Sequence, residues 1–234
     1  MKAMILAAGR GERMRPLTDH CPKPLLSVAG KPLIVWHLER LAAAGFREVV
    51  INHAYLGERI EAALQDGAAW GLRIRYSPEP PGALDTAGGI AQALPLLGDA
   101  PFLVLSADVY CEWDIALARH ALSERAAAHL LLIANPPHHP DGDFYLQHGK
   151  VGADGTEGVD GVDGAQSVTF AGIAVYRPAV FAGVPRGKTQ RLAPLLRDAM
   201  RTDYVSGECY TGPWMDVGTP QRLAELETFL RNGR

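Results

Sequence analysis

Met4-Ile-Leu-Ala-Ala8-Gly9-Arg-Gly11-Glu12-Arg13-Met-Arg15-Pro-Leu-Thr-Asp-His-Cys-Pro-Lys23-Pro24 is the stretch around which the chain is organised. It opens as an apolar run of strand length, Met4 to Ala8, and breaks at Gly9 and Gly11. Cations follow in quick succession, Arg10, Arg13, Arg15, Lys23 and then Lys31, with only Glu12 and Asp19 opposing them. Glycines let backbone N–H groups turn toward one point with no Cβ in the way, which makes a concave nest for anions. Arg and Lys add full charges, and Arg a forked set of donors, suited to phosphate oxygens. The stretch reads as a polyphosphate cradle at the end of the first strand. A charged, glycine-rich loop after a strand is also common in α/β domains at large, so its type matters. The Walker loop ends in Gly-Lys-Ser/Thr, which this loop lacks, and the dinucleotide loop needs a third glycine where this one has Met14.

Beyond that stretch, 234 residues suffice for one substantial core, and no linker or internal repeat divides residues 1–234 into separate domains. A hydrophobic content of 47%, a charged content of 21% and a net charge of −3 fit a globular enzyme and argue against a nucleic-acid surface, which would be strongly basic. Cys21, Cys111 and Cys209 are far apart and odd in number, so free thiols in a reducing compartment are expected. No apolar run approaches bilayer length, and the N-terminal one leads straight into charge. A cytoplasmic protein acting on small molecules, as a monomer or homodimer, is the expectation.

Periodicity predicts alternating elements: a helix over 33–41 stopped by Gly45, a strand at 49–52, a helix at 60–64 and a strand at 72–76. A Pro/Gly-rich loop, 77–89, then enters a helix at about Ile90. Further strands at 102–105, 129–133 and 168–176 and helices at 191–200 and 221–231 complete an α/β pattern. Such alternation argues for a Rossmann-like, three-layer fold with a mostly parallel central sheet, whose ligands gather at the carboxyl ends of the strands. The apolar strand Phe102–Leu105 delivers Ser106-Ala107-Asp108 to that edge, and a carboxylate there suggests a Mg²⁺ ligand. Asp108 as a helix cap is the weaker reading, because Asp114 is better placed before a helix covering Leu117 and Leu122. His138 and His139 are adjacent, so their side chains diverge, and no third soft ligand supports zinc. The acid-rich segment 151–166, with Asp154, Glu157, Asp160 and Asp163, reads as a hairpin tip.

The run from Gly9 to Thr18, closing with Pro22-Lys23-Pro24, resembles the signature of the sugar-1-phosphate nucleotidyltransferases, of rough form GxGxRxxPLT…PKP. The resemblance extends over nearly the whole chain. Trp214-Met215-Asp216-Val217-Gly218-Thr219 is similar to the segment that supplies that family's second metal carboxylate. Where the family usually has Gly-Asp, this chain has Ala107-Asp108. Asn135 to Phe144 resembles one branch, the enzymes that uridylylate N-acetylmuramate 1-phosphate in cell-wall sugar recycling.

The resemblance implies a transfer of a nucleoside monophosphate from an NTP, UTP first, to a sugar 1-phosphate, with Mg²⁺ held by Asp108 and Asp216. Arg13 and Lys23 are then the catalytic cations, and Ala8, Gly9, Gly11, Glu12, Asp85, Thr86, Gly88 and Ser106 line the nucleotide site. Gly142, Asp143 and Gly172 fall to the sugar and Lys188, with Arg191, to the cationic corner that grips the sugar phosphate; the lactyl carboxylate of a muramate wants a cation too, for which Lys188, Arg191 or a histidine would serve. Thr86 remains equally readable as a helix N-cap. Residues 1–107 become mainly the nucleotide half and 108–234 mainly the sugar half. Mannose-1-phosphate guanylyl transfer, glucose-1-phosphate thymidylyl or uridylyl transfer, and a non-catalytic nucleotide-sugar sensor are the rivals.

Overall fold

A computed structural model describes residues 1–153, 164–202 and 204–233. The chain begins with β1 (Lys2–Leu6) and the small ladder of β2 (Ser27–Val28) and β3 (Lys31–Pro32), followed by α1 (Leu33–Ala43). Next come β4 (Glu48–His53), α2 (Gly57–Leu64), β5 (Arg73–Pro78), α3 (Asp85–Leu97) and β6 (Phe102–Ser106). The second half adds β7 (Val109–Cys111), α4 (Ala118–Ala121), β8 (Ala126–Ile133), β9 (Phe144–Gln147), β10 (Lys150–Gly152) and β11 (Gln166–Tyr176). It closes with α5 (Leu192–Thr202), β12 (Tyr204–Cys209), β13 (Trp214–Asp216) and α6 (Pro220–Asn232).

The main sheet has the order β5-β4-β1-β6-β11-β8-β12-β10-β9. Its pairings make β10 and β11 run opposite to the other strands of the sheet, so the expected mostly parallel sheet is present. β9 also pairs with the start of β11, which closes the far end of the sheet on itself.

The side chains explain the three layers. Along β1, Ala3 and Ile5 enter one apolar layer and Met4 the other; along β6, Leu103 and Leu105 separate from Phe102 and Val104 in the same way. That is the two-residue period of a strand buried on both faces. Ile34, Leu38 and Leu41 of α1 and Ile60 of α2 cover the first face, and Ile90 of α3 and Leu196 of α5 cover the second. Each such buried side chain contributes about 1.5–3 kcal/mol relative to exposure. A third cluster packs Met14, Val28 and Trp36 against Val217 and Leu226 of α6, which pins the glycine loop to the C-terminal segment.

Three expectations need correction. α3 starts at Asp85 rather than near Ile90, because its first-turn amides of Ala87 and Gly88 find a tertiary acceptor, the Gln190 carbonyl, at 3.0 and 3.1 Å. Thr86 is therefore inside the first turn and is not the cap. The helix expected over 117–122 shrinks to a 3₁₀ turn and the short α4, with Leu117 exposed. Asp114 does cap that turn, accepting from the Ala116 amide at 3.0 Å. The segment read as a hairpin tip joins β10 to β11, yet both strands pair with β9 on its opposite sides. Its four acids, Asp154, Glu157, Asp160 and Asp163, lie outside the described residues. The cysteines are free thiols as expected, Cys111 buried and the other two half-buried. Among the described residues no helix is long and apolar enough to cross a membrane.

Candidate active site

β1 and β6 are parallel neighbours, with Leu6 opposite Ser106, so the segments after the two strands leave from one edge of the sheet. The glycine loop comes after β1 and Asp108 after β6. Asp216 is brought in from the far end of the chain by the β7–β13 ladder, in which it pairs with Val109. The Val217 amide donates to the Asp108 carbonyl at 2.7 Å. Two carboxylates 108 positions apart (216 − 108) thus become backbone neighbours.

Each is already held by a cation. Lys23, only 9% exposed, donates through its ammonium to Asp108 Oδ2 at 2.5 Å. Asp216 Oδ1 accepts from Arg222 Nη1, whose side chain is only 15% exposed. The same Arg222 nitrogen lies 2.9 Å from His138 Nε2, and since a guanidinium can only donate, that ring nitrogen accepts. Among the described residues the second oxygen of each carboxylate makes no hydrogen bond, and both aspartates line one cavity. Two free carboxylate oxygens facing solvent, with phosphate oxygens and water completing the shell, are the donor set that Mg²⁺ takes. No group of three or more His, Cys, Asp or Glu side chains able to hold a metal occurs among the described residues.

The cavity has a volume of 610 Å³. Arg13, Asp85, Thr86, Ser106, Asp143 and Gly172 from the expected set line it. A second cavity of 260 Å³ adjoins it through Asp85 and Thr86 and is lined by Ala8, Gly9, Asn52 and Glu79. Gly11 shapes the loop from inside: at φ +68° its missing Cβ leaves room for Lys23 and Thr18, each 3.1 Å from where that atom would stand. Gly172, at φ +77°, similarly lets β11 pass Ser106 and Val109, with a register shift in the strand at that point.

The rest of the expected set lies elsewhere. Glu12 is exposed and 3.6 Å from Arg10, which stacks on Tyr55. Gly88 is buried, its amide already bonded, because the Lys188 carbonyl would stand 2.4 Å from any Cβ there. Gly142 turns the chain against Asn135 and Ser167, outside the lining of either cavity. Lys188 is exposed and lines neither cavity. It belongs to a Gly187-Lys188-Thr189 triplet, but only three residues separate Gly183 from that triplet and no strand leads into it. Of the remaining cations of the opening stretch, Arg15 pairs with Asp19 at 2.6 Å and Lys31 pairs with Glu39.

Arg222, His138 and the Asn52–Glu79 pair were not among the site residues expected from sequence. Asn52 Oδ1 accepts from the Ala7 amide at 2.9 Å, and its Nδ2 donates to Glu79 Oε1 at 2.6 Å. Glu79 Oε2 accepts from the Leu84 amide at 2.7 Å, fixing the loop into α3. Burial pushes the Glu79 carboxyl above its ordinary value, with the bonds from Asn52 and Leu84 opposing that rise. Only the polar residue at the end of each strand signalled this pair in the sequence.

A family described as nucleotidyl transferase matches residues 2–233. The chain is 57% identical to the N-acetylmuramate alpha-1-phosphate uridylyltransferase of Neisseria meningitidis, over 98% of both chains. It is 37% identical to the protein of that name from Caulobacter vibrioides, over 97% of this chain and 96% of the relative. Among solved structures, a Bacillus anthracis protein assigned as a glucose-1-phosphate thymidylyltransferase, crystallised with a sucrose, superposes with a TM-score of 0.84 over 99% of this chain and 96% of its own, at 21% identity. That last likeness speaks for the fold. With its signature loop, paired aspartates and full-length match, the chain belongs to the nucleotidyl transferase family.

Proposed function

We propose that this protein transfers a uridylyl group from UTP to N-acetylmuramate 1-phosphate, giving the UDP-sugar and pyrophosphate. The observation that carries the transfer is the Lys23–Asp108 pair with Asp216 at its side, both aspartates lining the larger of two adjoining cavities. The substrates are suggested by the 57% identity to a uridylyltransferase of that name over nearly all of both chains. In this reading the smaller cavity takes the base: all its lining residues fall within 1–107 except Thr189. The larger one takes the sugar phosphate, its lining drawn chiefly from 108–234.

The attacking group is an already ionised phosphate, so alignment and charge neutralisation replace a general base. Gly9, Gly11 and Arg13 grip the β and γ phosphates and improve pyrophosphate as a leaving group. Lys23 bridges the α-phosphate and the incoming phosphate. Asp108 and Asp216 are the residues to hold Mg²⁺, which when bound would neutralise charge on the phosphate oxygens. Ala8, Asp85, Thr86 and Ser106 contact the nucleotide, and Asp143 and Gly172 the sugar.

A substrate panel tests this. Pyrophosphate release is measured for N-acetylmuramate 1-phosphate, glucose 1-phosphate and mannose 1-phosphate, each with UTP, dTTP and GTP in Mg²⁺. The muramate–UTP pair is expected to have the highest kcat/KM. A higher value for mannose 1-phosphate with GTP would overturn the substrate assignment, and UTP binding without release on any sugar would overturn the enzymatic one.

A further inference from the structure

We propose that Arg222 is a positioning residue that offsets the charge of Asp216, so that the two metal carboxylates take up a divalent ion together with the nucleotide and only weakly without it. This rests on the reading above in which Asp108 and Asp216 hold the metal.

Arg222 lines neither of the two cavities, so it acts through Asp216 and not on a substrate. Local rules disfavour its place. It is the third residue of α6, and its amide donates to the capping Thr219 Oγ1 at 3.3 Å. The first turn of a helix carries the positive end of the helix dipole and favours acids. That turn of α6 holds no acid and does hold this arginine. A guanidinium largely buried at the positive end of a helix needs acceptors, and it has Asp216 Oδ1 and His138 Nε2. Gly218 leaves the space it fills, since a Cβ there would stand 2.5 Å from Arg222 Nη2.

Charge decides what this clasp does. Lys23 is bonded to Asp108 and Arg222 to Asp216, so each carboxylate has its own cation. Arg13 lines the large cavity and reaches the same corner, with Nη2 3.2 Å from where the Gly218 Cβ would stand. Three cations thus face two carboxylates, and a bare divalent ion meets no net attraction. A triphosphate reverses the balance, bringing several negative charges and the oxygens that complete a metal shell. Metal and nucleotide then raise each other's affinity by the same factor. The guanidinium takes Oδ1 of Asp216 and leaves Oδ2 for the ion.

Mn²⁺ is the probe, since it takes the same oxygen ligands as Mg²⁺ and its free form is counted by electron paramagnetic resonance. The full-length wild type, Arg222→Gln, Arg222→Met and Arg222→Lys are titrated with Mn²⁺ alone. A neutral residue in the first turn relieves the conflict with the dipole, and Met keeps the apolar stem, so these variants should fold. Both neutral variants should bind Mn²⁺ about tenfold more tightly than the wild type, because a positive charge close to the ion is gone. Arg222→Lys keeps that charge and should stay near the wild type. Adding Asp216→Asn to Arg222→Gln should cancel the gain. Unchanged or weaker Mn²⁺ binding in the neutral variants would overturn the proposal, as would an equal gain in Arg222→Lys or a gain that survives Asp216→Asn. UTP binding to the wild type and to Asp216→Asn is measured by calorimetry with and without Mn²⁺. The wild type should gain affinity from the metal and Asp216→Asn should lose that gain. An equal gain in both would overturn the metal reading itself, and no gain in the wild type would overturn the coupling proposed here.

Discussion

Lys23 is a buried cation whose sequence context, Pro22-Lys23-Pro24, leaves little backbone freedom: Pro22 is extended and Lys23 opens a 3₁₀ turn. Its ammonium meets a carboxylate that is 41% exposed, so the pair is open to ligand on the aspartate side only. A cation held in that way is preorganised for charge that develops on a transferring phosphate, and removing such a contact typically costs roughly 3–4 kcal/mol of barrier. Lys23→Ala and Asp108→Asn should each lower kcat about a hundred- to a thousandfold. Their circular dichroism should stay that of the wild type. Turnover near the wild-type rate in either variant would remove that residue from the mechanism. Half of this was legible beforehand, because lysine between prolines and an aspartate after an apolar strand are local patterns. That Asp216 should be clasped by Arg222, six positions further on in α6, was not, since Arg222 reads as an ordinary member of a helix start.

At the scale of the element, β11 shows how one glycine shapes a site. The strand must pass beneath Ser106 and the turn to Asp108 while running antiparallel to β6. Gly172 permits this with a left-handed φ of +77° and no side chain. Gly172→Val should cost about 1–2 kcal/mol for the backbone alone, since a branched side chain rarely adopts that φ. Its Cβ would also stand 3.0 Å from Ser106 Oγ and 3.1 Å from Val109 Cγ2. Tm should fall by at least roughly 2–8 °C, and kcat should fall as well because Asp108 lies between those two residues. A thermal scan and a rate that both match the wild type would show that the strand relaxes there freely. The run Val168–Tyr176 was legible as a strand from its β-branched and aromatic residues. β12, by contrast, reads Tyr-Val-Ser-Gly-Glu-Cys, and its place beside β8 depends on Gly207 clearing Val151 and Leu132.

For the molecule as a whole, α1 fixes the sheet edge through a histidine. His37 is 3% exposed and its Nδ1 has no partner among the described residues. Burial first, and then the Arg40 guanidinium, lower its pKa from 6.5 to about 4, while Asp108 and the carbonyls of Ala107 and Val109 oppose the shift. The folded value lies below the unfolded one, so the unfolded chain takes up this proton first as pH falls. The stabilisation is therefore present above about pH 6.5 and is lost as pH falls toward 4. The difference, 6.5 − 4, corresponds to about 3 kcal/mol. Urea unfolding in EDTA between pH 7 and 4.5 should show the wild type losing stability more steeply than His37→Leu, by up to one proton. Parallel slopes would show that another group carries the acid sensitivity.

The layered α/β architecture, the glycine-rich loop after β1, the carboxylate after β6 and the capped C-terminal helix were all dictated by sequence alone. Each of these rests on local rules: side-chain period, glycine conformational freedom, and capping by Asp114 and Thr219. Which charges meet was settled only in three dimensions. Arg13 and Arg191 came to the cavity, whereas Glu12 and Lys188 did not. Asp216 came to Asp108 because two short strands, β7 and β13, paired across 107 positions of chain at Val109 and Asp216 (216 − 109). Pairing between short, distant segments is selected by the packing of the whole core, and it leaves almost no trace in the composition of either partner.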